Sequence, residues 1–211
     1  AIADVGPFEA KFRQDNPLMI PAGAGFYSKP ALVDIDADGD LDLFVGDAEG
    51  MIQYFENIGT DSAADYELRT GSDNPFWYAN TDTTIPAPYL PYEVNNGDAA
   101  PAFADLDGDG DMDALVGDDY GTINYFENTG TASAPAFVER TGADAAAIGP
   151  FWYQAGTTTD APYLQRRWSY DATPAFVDID GDGDMDLFVG NDYWHYLTFF
   201  ENTGTPASPS F

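Results

Sequence analysis

The chain has no cysteine in its 211 residues, which excludes disulfides, thiol nucleophiles and thiolate metal sites. Histidine occurs once, at His195, so no histidine-built zinc site can be assembled. Bases are scarce: 7 Lys and Arg stand against 37 Asp and Glu, a net charge of −30. A surface of that sign repels nucleic acid and anionic membranes, and suits cations, basic partners or neutral ligands. No apolar run of about 18 residues is present, so membrane insertion is not expected. No helical periodicity is sustained over about ten residues. Nucleophile elbows and phosphate loops are missing too, and the expectation is a protein that is not an enzyme.

What is present is enough apolar material for a core, with 44% hydrophobic and 15% aromatic residues. Between those runs the acids are concentrated. Residues 176–190 read FVDIDGDGDMDLFVG, with Asp178, Asp180, Asp182, Asp184 and Asp186 at every second position. Residues 32–46 and 103–117 repeat the pattern. They supply Asp34, Asp36, Asp38, Asp40 and Asp42, then Asp105, Asp107, Asp109, Asp111 and Asp113. Like charges so close repel, and a cation would relieve them. Counting from the first Asp, carboxylates stand at positions 1, 3, 5 and 9, and a backbone carbonyl is on offer at 7. Position 6 is a glycine (Gly39, Gly110, Gly183), which permits a sharp turn. Calcium takes six to eight oxygens, and this spacing wraps one chain around the ion. The expectation is three Ca2+ sites, one per loop. Three divalent ions bring six positive charges and leave about −24. An EF-hand needs Glu at position 12 and flanking helices; Val45, Val116 and Val189 stand there instead.

The first aspartates of successive loops, Asp34, Asp105 and Asp178, are 71 and 73 residues apart. After each loop comes LFVG or ALVG, then a short polar turn. An aromatic segment follows, IQYFENIGT, INYFENTGT or LTFFENTGT, and then a short run such as YELRTG or FVERTG. Short runs rich in Val, Ile, Phe and Tyr, bounded by Gly, Asn, Asp or Pro, read as strands and turns. The predicted fold is all-β: a propeller of three four-stranded blade-like repeats, at about 8–65, 66–136 and 137–211. The alternative is a linear β-solenoid. The segment PFEAKFRQDNP (7–17) reads like a missing outer strand, so pairing of N- and C-terminal strands is one way to close a ring. An excised piece of a longer array and a ring made by two chains are the others. The start, Ala-Ile-Ala-Asp, fits a processed mature chain or an artificially trimmed one.

The loops DIDGDGDMDLFVG, DLDGDGDMDALVG and DIDADGDLDLFVG resemble the FG-GAP and VCBS repeats, the calcium-loop blades also found in the integrin α-subunit propeller. The resemblance implies a calcium-stabilised propeller on secreted or cell-surface proteins, serving adhesion or recognition. Family propellers commonly have more than three blades.

Antiparallel strands put successive loops at opposite ends, so the links between repeats lie opposite the Asp loops. Two links are long and aromatic, at 75–100 and 150–173. They and the third Val-Gly turn contribute the candidate ligand-binding residues Trp77, Tyr78, Trp152, Tyr153, Trp168, Trp194 and His195. Aromatic faces beside Asn, Asp and Thr suit sugar rings, and equally a protein partner. The opposing reading is that PFWY and APYL pack the links onto the blades. The expected function is glycan recognition, with protein–protein adhesion or a structural spacer as the alternative.

Overall fold

A computed structural model describes residues 27–60, 62–77, 97–119, 121–140, 171–191, 197–206 and 208–211. Every regular element among them is a strand, apart from one 3-10 turn at Gly71–Asp73. The first sheet holds β1 (Lys29–Val33), β2 (Asp42–Gly46), β3 (Ile52–Asn57) and β4 (Tyr66–Arg69). The second holds β5 (Ala100–Ala104), β6 (Asp113–Gly117), β7 (Ile123–Asn128) and β8 (Phe137–Arg140). The third holds β9 (Thr173–Val177), β10 (Asp186–Gly190) and β11 (Leu197–Phe200). All pairings are antiparallel between sequence neighbours, so each sheet is a meander. Two sheets thus carry the four strands expected per repeat, and the third carries three among the described residues. The YELR strand at 66–69 pairs with β3 and belongs to the first sheet. The sheets therefore run in a different phase from repeats cut at 65 and 136.

Directly opposed residues share a face, which fixes the packing. Ala31, Phe44 and Tyr54 form one row, and Leu32, Leu43 and Phe55 form the adjacent row on the other face. The Phe44 face meets the second sheet. Val33, Ile35, Phe44, Ile52 and Tyr54 pack there against Ala114, Val116, Phe126 and Phe103. The opposite face of the second sheet, with Leu115, Ile123 and Tyr125, packs on Leu187, Val189, Phe176 and Phe200 of the third. Each large side chain so buried contributes roughly 1.5–3 kcal/mol.

The link after β4 is pinned by Phe76. Its ring stacks on Phe137 at 4.3 Å and meets Phe44 and Phe126 edge-on at 5.7 and 5.5 Å. Such contacts add about 0.5–1.5 kcal/mol each beyond burial. The Phe of PFWY is therefore core. Trp77 beside it is half-buried.

The glycine ending each exit strand has a steric cause. A Cβ on Gly46 would lie 2.0 Å from the carbonyl oxygen of Ala99, and one on Gly117 2.0 Å from that of Ala172. Ala99 and Ala172 lead the chain into the next sheet. Their N–H groups donate to the carbonyls of Asp47 and Asp118, in the turns after β2 and β6. The Val-Gly turns and the links therefore share one end of the sheets, as expected.

Candidate metal centres

Each Asp loop joins the first two strands of its sheet at the other end. The period-2 alternation of β1, β5 and β9 breaks where the acids begin, because a hairpin must turn there. Position 6 carries a φ of 99°, 96° and 99° at Gly39, Gly110 and Gly183. That is a left-handed conformation which costs glycine little. Position 4 is also left-handed: Gly108 and Gly181 have φ of 76° and 79°, whereas the first loop holds Ala37 at 59°.

Carboxylates hold the turn through backbone donors. In the first loop the N–H of Gly39 donates to Asp34 Oδ2 at 3.2 Å, that of Asp38 to Asp36 Oδ1 at 3.3 Å, and that of Asp40 to Asp38 Oδ1 at 3.1 Å. The second and third loops repeat these bonds with Gly110, Asp109 and Asp111, and with Gly183, Asp182 and Asp184. Asp105 Oδ1 and Asp178 Oδ1 also accept the position-4 glycine N–H at 2.7 Å.

In this arrangement carboxylates of each loop converge. Asp34, Asp36 and Asp38 each place a carboxylate oxygen within 4.8 Å of the others; so do Asp105, Asp107 and Asp113, and Asp178, Asp180 and Asp182. Asp34 Oδ1, Asp111 Oδ1 and Asp184 Oδ1 are buried with no hydrogen-bond donor. A buried acceptor without a donor is costly, and a cation is a partner that satisfies several at once. The donor set is all oxygen and anionic, which fits Ca2+.

The position-9 aspartates do something more. Asp42 Oδ1 accepts the N–H of Asn57 at 2.7 Å, Asp113 Oδ1 that of Asn128 at 2.7 Å, and Asp186 Oδ1 that of Asn202 at 2.8 Å. Each asparagine Oδ1 in turn accepts two N–H groups of the following turn: Gly59 and Asp65, Gly130 and Ala136, Gly204 and Ser210. The recurring FEN motif is thus a clamp between the acidic loop and the neighbouring turn. Burial pushes Asp42 up to about 7, and the charges of Asp36 and Asp38 add to it. Burial likewise raises Asp113 to about 7, and Asp111 to about 6 with help from Asp109 and Asp107. Without a cation, these carboxyls hold a proton more tightly than free ones do.

A further acidic group lies at the link end, where sequence reading placed no charge cluster. Asp98, Asp119 and Asp171 bring carboxylate oxygens within 4.8 Å of one another. Lys29 stands beside them, with Nζ 3.6 Å from Asp171 Oδ1 and donating to the Asp98 carbonyl at 2.9 Å. Asp98 and Asp171 share a left-handed backbone, φ 52° and 58°, two residues before β5 and β9; Tyr27, at 61°, holds the same place before β1. That alignment is the signal in the sequence, and Tyr27 hides it.

Of the candidate ligand-binding residues, only Trp77 lies among the described residues. Tyr78, Trp152, Tyr153, Trp168, Trp194 and His195 lie outside them.

The fold and loops define an all-β protein of repeated antiparallel sheets, each opened by an aspartate loop. Residues 105–189 match the family model of the FG-GAP-like repeat, so this stretch, from the second loop through the third, carries that repeat. FG-GAP-like repeats build β-propeller-type modules, often in adhesion or recognition, and are generally non-catalytic. Comparison with curated proteins gives no match. Among the described residues no helix is long and apolar enough to cross a membrane.

Proposed function

We propose that the chain is a calcium-stabilised, non-catalytic extracellular recognition module of the β-propeller type, binding glycan through the aromatic links opposite its metal loops. The observation that carries the calcium part is the convergence of three carboxylates in each loop, in loops that also hold buried, donor-free oxygens at Asp34, Asp111 and Asp184. Asp34, Asp36 and Asp38, Asp105, Asp107 and Asp113, and Asp178, Asp180 and Asp182 would hold the ions, with the remaining loop aspartates alongside them. The ion supplies charge neutralisation and a crosslink between the two strands that leave each loop.

The glycan part rests on the half-buried Trp77 at the link end and on the aromatic composition of 75–100 and 150–173. Sugar rings stack on such faces while neighbouring Asn, Asp and Thr hydrogen-bond their hydroxyls. The test is a glycan-array screen of the purified protein in calcium and in EDTA, beside calorimetric titration with Ca2+. Three calcium ions per chain, and a defined sugar class lost on Trp77→Ala and Trp152→Ala, are expected. Silence on the array from calcium-loaded, folded protein overturns the glycan reading and favours a protein partner. No heat of binding with Ca2+ overturns the metal reading.

A further inference from the structure

The three acidic loops are not equivalent, and the difference lies at position 4. In the second and third loops that residue is Gly108 or Gly181, with φ of 76° and 79°. The left-handed region open to a residue with a Cβ ends at about +70°, so glycine alone sits there freely. From that conformation each glycine N–H reaches the first aspartate, donating to Asp105 Oδ1 and Asp178 Oδ1 at 2.7 Å. The first loop has Ala37, which stops at 59°. The corresponding oxygen, Asp34 Oδ1, is buried and receives no donor. The position-6 bond is the same in all three loops: Gly39, Gly110 and Gly183 each donate to Oδ2 of the first aspartate at 3.2 Å. More than clustered acids marks the loops as cation sites, since Asp111 and Asp184, 7% and 5% exposed, each bury an Oδ1 that no donor meets.

Two effects of the missing bond oppose each other. An oxygen without a donor has nothing competing with a cation for it. Against that, a loop short of one bond to a charged acceptor, and holding an alanine in a left-handed conformation, is less well organised before the ion arrives. The second effect wins. A carboxylate oxygen has two lone pairs, so in the other loops the glycine N–H and an ion can share it. The donor there costs the ion little, and it holds the aspartate in place in advance. In the first loop part of the binding energy goes into ordering the chain.

We propose that the first loop is the weak calcium site of the three, filled last and ordered by its ion, with Ala37 setting the difference. This rests on the calcium reading above. The expected gap is about tenfold in affinity, equivalent to about 1.4 kcal/mol. As calcium falls, the first loop empties while the second and third stay loaded.

The experiment is a calcium titration of the full, EDTA-stripped chain across about 10 nM to 10 mM free ion. It follows the N–H resonances of Gly39, Gly110 and Gly183 by two-dimensional NMR. Gly110 and Gly183 are expected to reach their bound positions at about tenfold lower calcium than Gly39. Ala37→Gly, which removes atoms and leaves the apolar core untouched, should bring Gly39 into line with the other two. Gly108→Ala should delay Gly110 by about tenfold and leave Gly183 where it is. Three glycines that respond together in the unmodified chain, a Gly39 that responds first, or a gap that survives Ala37→Gly overturns the proposal. A chain in which none of the three responds to calcium overturns the calcium reading itself, and this proposal with it.

Discussion

Mild acid should have opposite effects on the calcium-free and calcium-loaded protein. Asp42 and Asp113 are ordinary carboxyls near 3.8 in the unfolded chain and are pushed to about 7 in the folded, metal-free one. A folded-state value raised above the unfolded one means that the fold binds protons more tightly. Stability from this source is fully present below about 4 and is lost as pH rises through 7. Lowering the pH from 7 to 5 therefore returns about 2 kcal/mol per group, or about 4–5 kcal/mol for the two. At about 2–4 °C per kcal/mol for a domain of this size, Tm in EDTA should rise by about 10 °C. With calcium bound the sign reverses, because protons compete with the ion for the same oxygens and acid removes stabilisation by mass action. Scanning calorimetry at pH 7, 6 and 5, in EDTA and in millimolar calcium, reads both slopes. A Tm in EDTA that falls on acidification would refute the burial argument. A Tm in calcium that rises would refute the placement of the ion.

Other outcomes follow from packing and backbone. Gly46→Ala and Gly117→Ala should destabilise by several kcal/mol, since each Cβ meets a backbone carbonyl, whereas Gly190→Ala should stay within about 1 kcal/mol; urea denaturation of the three variants reads the contrast. Phe76→Ala should cost about 3–5 kcal/mol in the same assay, because the ring sits among Phe44, Phe126 and Phe137. Ala37→Gly should stabilise by about 0.5–1 kcal/mol by relieving a left-handed alanine where the other loops have glycine, measured as a shift in the denaturation midpoint.

The loops and strands were legible because their signals are local. Alternating aspartates between apolar runs mark a hairpin end, and the φ of Gly39, Gly110 and Gly183 answers directly to the glycine in the pattern. The direction of each sheet's faces was legible only in part. The rows Ala31–Phe44–Tyr54 and Leu32–Leu43–Phe55 are equally apolar, so alternation could not say which neighbour each would meet. The PFWY segment was ambiguous for a similar reason, since an aromatic ring suits a core and a ligand alike; burial assigns Phe76 to the core. The Asn57, Asn128 and Asn202 clamps were visible as a repeated letter, but their role depends on a position-9 aspartate fifteen or sixteen residues away. The Asp98, Asp119 and Asp171 group left only a faint trace, the matching places of Asp98 and Asp171 before β5 and β9, because it forms only where separate sheets come together.

That meeting point constrains the shape of the whole assembly. Lys29 belongs to the first strand of the first sheet, and Asp171 leads into the first strand of the third. In a slab of sheets stacked about 10 Å apart, the second sheet would hold them about 20 Å from each other. Their charged groups are 3.6 Å apart. The three sheets are therefore leaves of a fan rather than plates of a stack, splayed from a hinge line where their first strands gather. Lys29 acts there as the pin, holding the first leaf to the third past the second.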